Sequence, residues 1–203
     1  MCKQILLKVI LVATLIITSQ RTTFAQYHLG VEAGATVSSL YTIQESYVNN
    51  WASPTIGARA GLFFENEIKD FFAIKTGVFG VLKGCQLQMG ERWNLVYITV
   101  PALAVFTPVK PLKLGIGIEL GALVANNIRL LADNTLSLGI RSEVAWQINP
   151  SFRLIAHTTV DVTPTSSIIY TDDRGFLLAS NNYNNITGGL SLAYTIKTFD
   201  KEG

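Results

Sequence analysis

Ionisable side chains near the middle of several predicted strands are the first candidates for chemistry. Each falls on the polar face of a segment in which apolar and polar residues alternate. An isolated buried ion is costly, so charges enclosed by such strands must pair with one another. Neighbouring strands would bring Glu32 to Arg59 and Glu119 to Arg141. The full set is Glu32, Arg59, Lys75, Glu119, Arg141, Glu143 and His157.

Two interpretations of these charges are open. In the first, paired side chains plug the interior of a narrow barrel, because eight strands enclose a space just wide enough for side chains to fill. In the second, the same charges line a path for a small solute. We favour the plug and keep the channel as the alternative.

Serine, histidine and carboxylate side chains together suggest a hydrolytic site. His157 and Asp161 share a strand face, and Ser137 and Ser142 lie on the preceding predicted strand. A nucleophile, its base and the orienting group must lie within hydrogen-bond reach. Residues four apart along a strand are separated by about 13 Å, so His157 and Asp161 cannot form a direct pair. We therefore expect no enzyme, and an acyl-transferring or hydrolysing membrane enzyme is the least favoured alternative.

Histidine and cysteine spacing predicts neither a metal site nor a cofactor. His28 and His157 are isolated, and Cys85 is the only cysteine after residue 25. Zinc sites need several such ligands together. The formal net charge of +2 predicts no nucleic-acid partner, because binding to phosphates depends on a strongly basic surface.

Two long predicted loops, residues 40–53 and 164–182, are candidate contact surfaces for an envelope protein partner. Both combine tyrosine or tryptophan with small polar residues, a composition that makes adaptable contacts. The alternative is a solvated cap with interfacial anchors. The candidate contact residues are Tyr47, Trp51, Tyr170, Asp172, Asp173 and Arg174.

Strand alternation predicts the elements that position these side chains. Between residues 112 and 124 the even positions are apolar, and the odd positions are mostly glycine or charged. Successive strand residues point to opposite faces. The pattern predicts an all-β fold, an eight-stranded antiparallel up-and-down transmembrane β-barrel. The predicted strands are 27–38, 54–65, 71–88, 94–106, 112–124, 135–148, 152–163 and 183–199.

The first 25 residues are predicted to be a cleaved signal peptide. Lys3 and Lys8 precede the apolar run 9–17, and Thr23-Phe24-Ala25 places small residues before a cut at Gln26. The alternative is an uncleaved anchor, although the run is short for a membrane helix. Residues 26–203 then form the barrel domain. The chain is 49% hydrophobic and only 15% charged, where soluble domains have about 25% charged residues.

Loop lengths predict the orientation of the barrel. Loops after the odd-numbered strands are mostly longer than the turns after the even ones, and outer-membrane barrels have short periplasmic turns. Both termini would then be periplasmic in a bacterial outer membrane. Aromatic residues near strand ends predict two interfacial girdles, with Trp51, Trp93, Tyr97 and Tyr183 at the outer one. The soluble alternative is a lipocalin-like barrel, which is polar outside.

Residues 97–103, Tyr-Ile-Thr-Val-Pro-Ala-Leu, resemble the Tyr-Leu-Glu-Ile-Pro-Leu-Leu strand of the PorT-like outer-membrane β-barrel family of Bacteroidetes. Val81-Leu-Lys-Gly84 resembles the end of the preceding strand in that family. The chain departs from the family at Thr99, where Glu is usual, and at Val105, where Lys is common. The resemblance implies an integral outer-membrane barrel of the porin-family small-barrel kind and implies no particular activity.

Residues 187–194 of the last predicted strand fit the C-terminal signal read by barrel-assembly machinery. The expected partners are therefore outer-membrane lipid and, during biogenesis, this machinery. The sequence as a whole predicts a structural or binding role in the cell envelope, with the lumen plugged by side chains.

Overall fold

A computed structural model describes residues 26–42, 52–87, 92–127, 135–171 and 177–199. Nine strands occur in these residues, and each pairs antiparallel with its neighbours. They are β1 (Gln26–Tyr41), β2 (Ala52–Lys69), β3 (Phe72–Leu87), β4 (Arg92–Val109), β5 (Leu112–Asn126), β6 (Leu136–Gln147), β7 (Phe152–Asp161), β8 (Ser166–Thr171) and β9 (Leu177–Phe199).

Eight of these strands form a closed barrel. β1 to β7 pair in chain order, β7 pairs with β9, and β9 pairs back with β1. Within the described residues, β8 pairs with β9 alone and lies outside the closed wall. The predicted eight-stranded antiparallel barrel is therefore confirmed.

Alternation along each strand separates an apolar exterior from a polar interior. On β5, Ile116 is 57% exposed whereas Glu119 is 3% exposed. Large apolar side chains face outward around the wall, including Ile56, Leu62, Val78, Ile118, Ile140, Leu190 and Leu192. A closed barrel with an apolar belt and a polar interior is the architecture of a membrane-spanning β-barrel.

No helix in the described ranges is both long enough and apolar enough to cross a membrane.

The short connections lie at one end of the barrel together with the first and last strand ends. Tyr27 on β1 is paired with Phe199 on β9, and only residues 70–71, 110–111 and 148–151 separate the strands joined at this end. Aromatic pairs lie there too, with ring centroids 5.5 Å apart for Tyr27 and Phe64. We call this the short-turn end.

Pro101 lies at a gap in the ladder between β3 and β4. The β3–β4 pairing skips from Thr76↔Ala102 to Phe79↔Thr99 without a change of register. Thr76 Oγ1 donates to the carbonyl oxygen of Pro101 at 2.8 Å. The side chain thus replaces part of the ladder that proline interrupts.

One predicted element was wrong. Residues 164–182 were expected to form a loop, but β8 and the first residues of β9 form a hairpin there. β8 has only six residues, Ser-Ser-Ile-Ile-Tyr-Thr, and four of them are β-branched or aromatic. Such residues favour extended backbone, and the polar composition of the connecting residues concealed that preference.

Candidate functional site

Six of the seven predicted ionisable residues form a ring of alternating charge across the lumen. β1, β2, β3, β5 and β6 contribute them. We call this set the central ring, and its members in order of contact are Glu32, Lys75, Glu143, Arg141, Glu119 and Arg59.

Lys75 joins the first half of the central ring. Its Nζ lies 3.1 Å from Glu32 Oε2 and 2.9 Å from Glu143 Oε1. Arg141 Nη2 lies 3.5 Å from Glu143 Oε2 and 3.8 Å from Glu32 Oε1. Each carboxylate on this side therefore faces at least two cations.

Glu119 joins the second half. Its Oε2 accepts from Arg59 Nη1 at 2.9 Å and from Arg141 Nη1 at 3.3 Å. Arg59 Nε lies 3.5 Å from Glu32 Oε1, which completes the ring. The two predicted pairs, Glu32 with Arg59 and Glu119 with Arg141, are both present. The shorter contact of Arg59, however, is to Glu119 on the far side of the lumen.

All six side chains are at most 3% exposed, so the ring lies away from water. Buried ions are tolerated when their partners satisfy them, and removing one partner is strongly destabilising. Mutual pairing is therefore a condition for this sequence to fold.

Lys83 and Asp161 extend the central ring toward the end of the barrel opposite the short-turn end, which we call the long-loop end. Lys83 Nζ lies 3.1 Å from Asp161 Oδ2 and 4.0 Å from Glu119 Oε1. The sequence placed both residues on polar strand faces, but neither was predicted to belong to the lumen charge network. Together with the ring they make four carboxylates and four cations, so the charges balance.

His157, the seventh predicted residue, is buried on β7 beside the ring. A Cβ on Gly189 would lie 3.0 Å from two atoms of the His157 imidazole. The absence of a side chain at Gly189 therefore leaves room for that imidazole. Among the described ion pairs none involves His157. It is a packing neighbour of the central ring rather than a member.

A second cluster of charges lies near the short-turn end and was not predicted. Lys113 Nζ lies 2.6 Å from Glu65 Oε1 and 2.8 Å from Glu67 Oε1. Arg153 Nη1 lies 2.5 Å from Glu65 Oε2. Glu65, Lys113 and Arg153 also fall on the polar strand faces, so the strand period could have placed them in the lumen.

A buried apolar layer contacts both charged clusters. Phe63 is 1% exposed, and its ring lies 5.0 Å from the Arg153 guanidinium carbon and 5.5 Å from Lys75 Nζ. Arg59 stacks on Phe79 at 3.8 Å. The layer consists of Phe63, Phe79, Val81, Ala145, Ile155 and Ala193.

Apolar side chains also close the lumen on the long-loop side. Trp93 and Tyr97 are buried inside the barrel with Cys85 and Leu95. The predicted outer girdle was therefore wrong for Trp93 and Tyr97, and Tyr183 is also buried. Trp93, Leu95 and Tyr97 have the same parity as the inward residue Thr99, a signal that would have placed them in the lumen.

The predicted hydrolytic residues do not converge. Ser142 is exposed on the outer face of β6, whereas His157 is buried in the lumen. Both carboxylate oxygens of Asp161 accept hydrogen bonds from Lys83 Nζ. In the described part of the chain no group of three or more His, Cys, Asp or Glu residues is placed to hold a metal ion.

The candidate loop contacts are only partly described. Tyr170 lies on β8, where its backbone pairs with Ala179. The remaining candidates, Tyr47, Trp51, Asp172, Asp173 and Arg174, lie outside the described residues.

Known structures similar to this chain are small surface barrels. Neisserial surface protein A is 13% identical, with 83% of this chain and 97% of that chain covered at a TM-score of 0.49. Ail, the attachment invasion locus protein of Yersinia pestis, is 13% identical, with 87% and 100% covered at 0.47. The outer membrane protein OprG from Pseudomonas aeruginosa is 10% identical, with 87% and 95% covered at 0.48. No family model and no curated protein matches the chain.

Proposed function

We propose that this protein is an integral outer-membrane barrel whose lumen is sealed by a plug of side chains. It acts through the hairpin of β8 and β9 and through the loops that face away from the cell. The central ring carries the proposal. It spans the bore, its charges pair with one another, and buried apolar clusters pack in the same lumen.

A conducting path would need open space for a passing solute. Here Arg59 and Lys75 each bridge two carboxylates within the bore. Moving an ion past them would require several buried ion pairs to separate, which is costly in a region shielded from water. The arrangement supports a plug and argues against a small-solute channel.

The proposed location follows from the exterior and the ends. The outward apolar belt suits lipid, and the short-turn end matches the periplasmic end of outer-membrane barrels. Both termini would then be periplasmic, and residues 1–25 a removed signal peptide. Membership of the PorT-like family is part of this proposal, supported by residues 97–103 on β4 and 81–84 on β3.

A non-enzymatic role is the corresponding proposal for chemistry. Its support is that Ser142 and His157 lie on opposite faces of the wall. The proposed partners are outer-membrane lipid, the assembly machinery during biogenesis and an envelope protein contacted from the long-loop end.

Single-barrel conductance tests the sealed lumen. The purified protein is inserted into planar lipid bilayers, with a general porin inserted in parallel as the positive control. We expect no stable unit currents from the protein while the porin conducts. Stable currents of defined size from the wild-type protein would refute the plug and favour the channel.

A further inference from the structure

β8 is attached to the barrel by one edge only. β7 pairs with both β6 and β9, but β8, which follows it, pairs in the described residues with β9 alone. The ladder of β7 with β9 ends at Val160↔Ile186, and that of β8 begins at Ser166↔Tyr183. β8 and the facing part of β9 thus form a two-stranded ribbon beyond the wall.

The base of this ribbon is held firmly to the barrel rim. Val162 N donates to Leu138 O at 2.7 Å, and Thr165 N donates to Tyr183 O at 2.8 Å. Just below, Asp161 binds Lys83 through its side chain. The ribbon therefore leaves the barrel in a defined direction.

The second edge of β8 has little of the usual protection against pairing, because its one register shift against β9 lies at the end of the strand, between Tyr170 and Thr171. A free edge presents a row of N–H and C=O groups, and natural proteins blunt such edges with charges, prolines or bulges. Residues 166–171 contain no charged residue and no proline. Six extended residues give an edge of about 20 Å, long enough for a strand to add.

We propose that this edge pairs with the β8 edge of a second copy held in a facing membrane. Two copies in one membrane run their β8 strands in the same direction, whereas copies in facing membranes run them in opposite directions. Only the second arrangement permits antiparallel pairing, the more stable kind. Because β8 is uncharged, identical strands meet without the repulsion that like charges cause across a ladder.

This inference deepens the proposed function, since it rests on the ribbon facing away from the cell and names the partner as the chain itself. The probe is the protein in lipid nanodiscs that each contain one barrel. Association within one membrane is then impossible, and a pair of discs reports contact between facing copies. Analytical ultracentrifugation measures the fraction of paired discs.

Charge substitutions at the centre of β8 make the test specific. We compare two double variants. One carries both Ile168→Lys and Ile169→Lys, and the other carries both Ile168→Glu and Ile169→Glu. Wild-type discs should pair, each double variant alone should pair at least tenfold more weakly, and a mixture of the two variants should form mixed pairs. Unpaired wild-type discs, or lysine-variant discs that pair as well as wild type, would overturn the proposal, and so would a mixture that stays unpaired.

Two controls keep the result interpretable. Deletion of residues 166–179 removes the ribbon, and its discs should stay single, so pairing by deleted discs would also refute the contact. Resistance of each variant to unfolding in detergent at room temperature, seen as an electrophoretic shift on heating, verifies a folded barrel. Failure to pair leaves the sealed lumen untouched, because conductance is measured on single barrels.

Discussion

Arg59 on β2 donates to Glu119 on β5 at 2.9 Å, a contact made across the lumen between strands that are not neighbours. The same guanidinium lies 3.5 Å from Glu32. One arginine thus ties three strands together, which makes the interior of the barrel part of its mechanical support.

Truncating Arg59 should be strongly destabilising. Arg59→Ala leaves Glu119 and Glu32 buried with fewer cations, and breaking a buried pair in this way costs about 3–5 kcal/mol. Urea unfolding in lipid vesicles, followed by tryptophan fluorescence, measures the loss. Lys197→Ala, which removes a cation from an exposed position on β9, is the matched control and should leave the midpoint unchanged. Equal effects of the two substitutions would contradict the role of the ring.

Two glycines on opposite faces of the wall should respond differently to alanine. A Cβ on Gly117 would lie 2.0 Å from the backbone oxygen of Ala102, whereas a Cβ on Gly188 would meet nothing closer than 3.8 Å. Gly117→Ala should cost about 1–3 kcal/mol, as overpacking does, and Gly188→Ala should be tolerated. The same urea unfolding measurement gives the loss of stability of each variant. Comparable losses for the two variants would show that the close approach at Gly117 is relieved without cost.

Phe63 and its neighbour Leu62 test the apolar layer of the lumen. Phe63 is 1% exposed between two charged clusters, and Leu62 is 55% exposed on the outer face. Phe63→Ala creates a cavity among ring members and should cost about 3–5 kcal/mol. Leu62→Ala leaves a space that lipid chains can fill, so its effect should be much smaller. The reverse order would show that the packing inside the barrel contributes little.

Removing the ribbon should spare the barrel. The described residues of the segment 166–179 are β8 and the first residues of β9, which pair with each other outside the closed wall. Deletion of the segment should therefore leave the urea midpoint within error of wild type. Contacts made from the long-loop end should be lost at the same time. A large fall in the midpoint would instead assign the ribbon to the stability of the wall.

Strand alternation was enough to predict the wall and its two faces. The parity that places Glu119 inward and Ile118 outward on β5 follows from the strand period alone, and it holds in the structure. Glu32 and Arg59 were paired correctly because they lie on adjacent strands.

Strand alternation alone could not predict the contacts across the lumen. Whether Arg59 reaches Glu119 depends on strand tilt and stagger, which set the height of each residue in the barrel. The sequence of a single strand does not determine either quantity. Lys83 and Asp161 were missed for the same reason. The β8 hairpin was missed because its strands are short and the intervening residues have a loop-like composition.

The pairing of Tyr27 with Phe199 has a consequence for how the protein is made. The first strand finds its second neighbour only when the last strand has been synthesised, so the most distant parts of the chain must meet before the cylinder exists. Contacts of this separation slow folding. Until these contacts form, Glu32 on β1 is not enclosed by the barrel wall. Its cationic partners Arg59 and Lys75 then remain exposed to solvent. Closure of the barrel and full burial of these charges therefore both depend on the pairing of the first strand with the last.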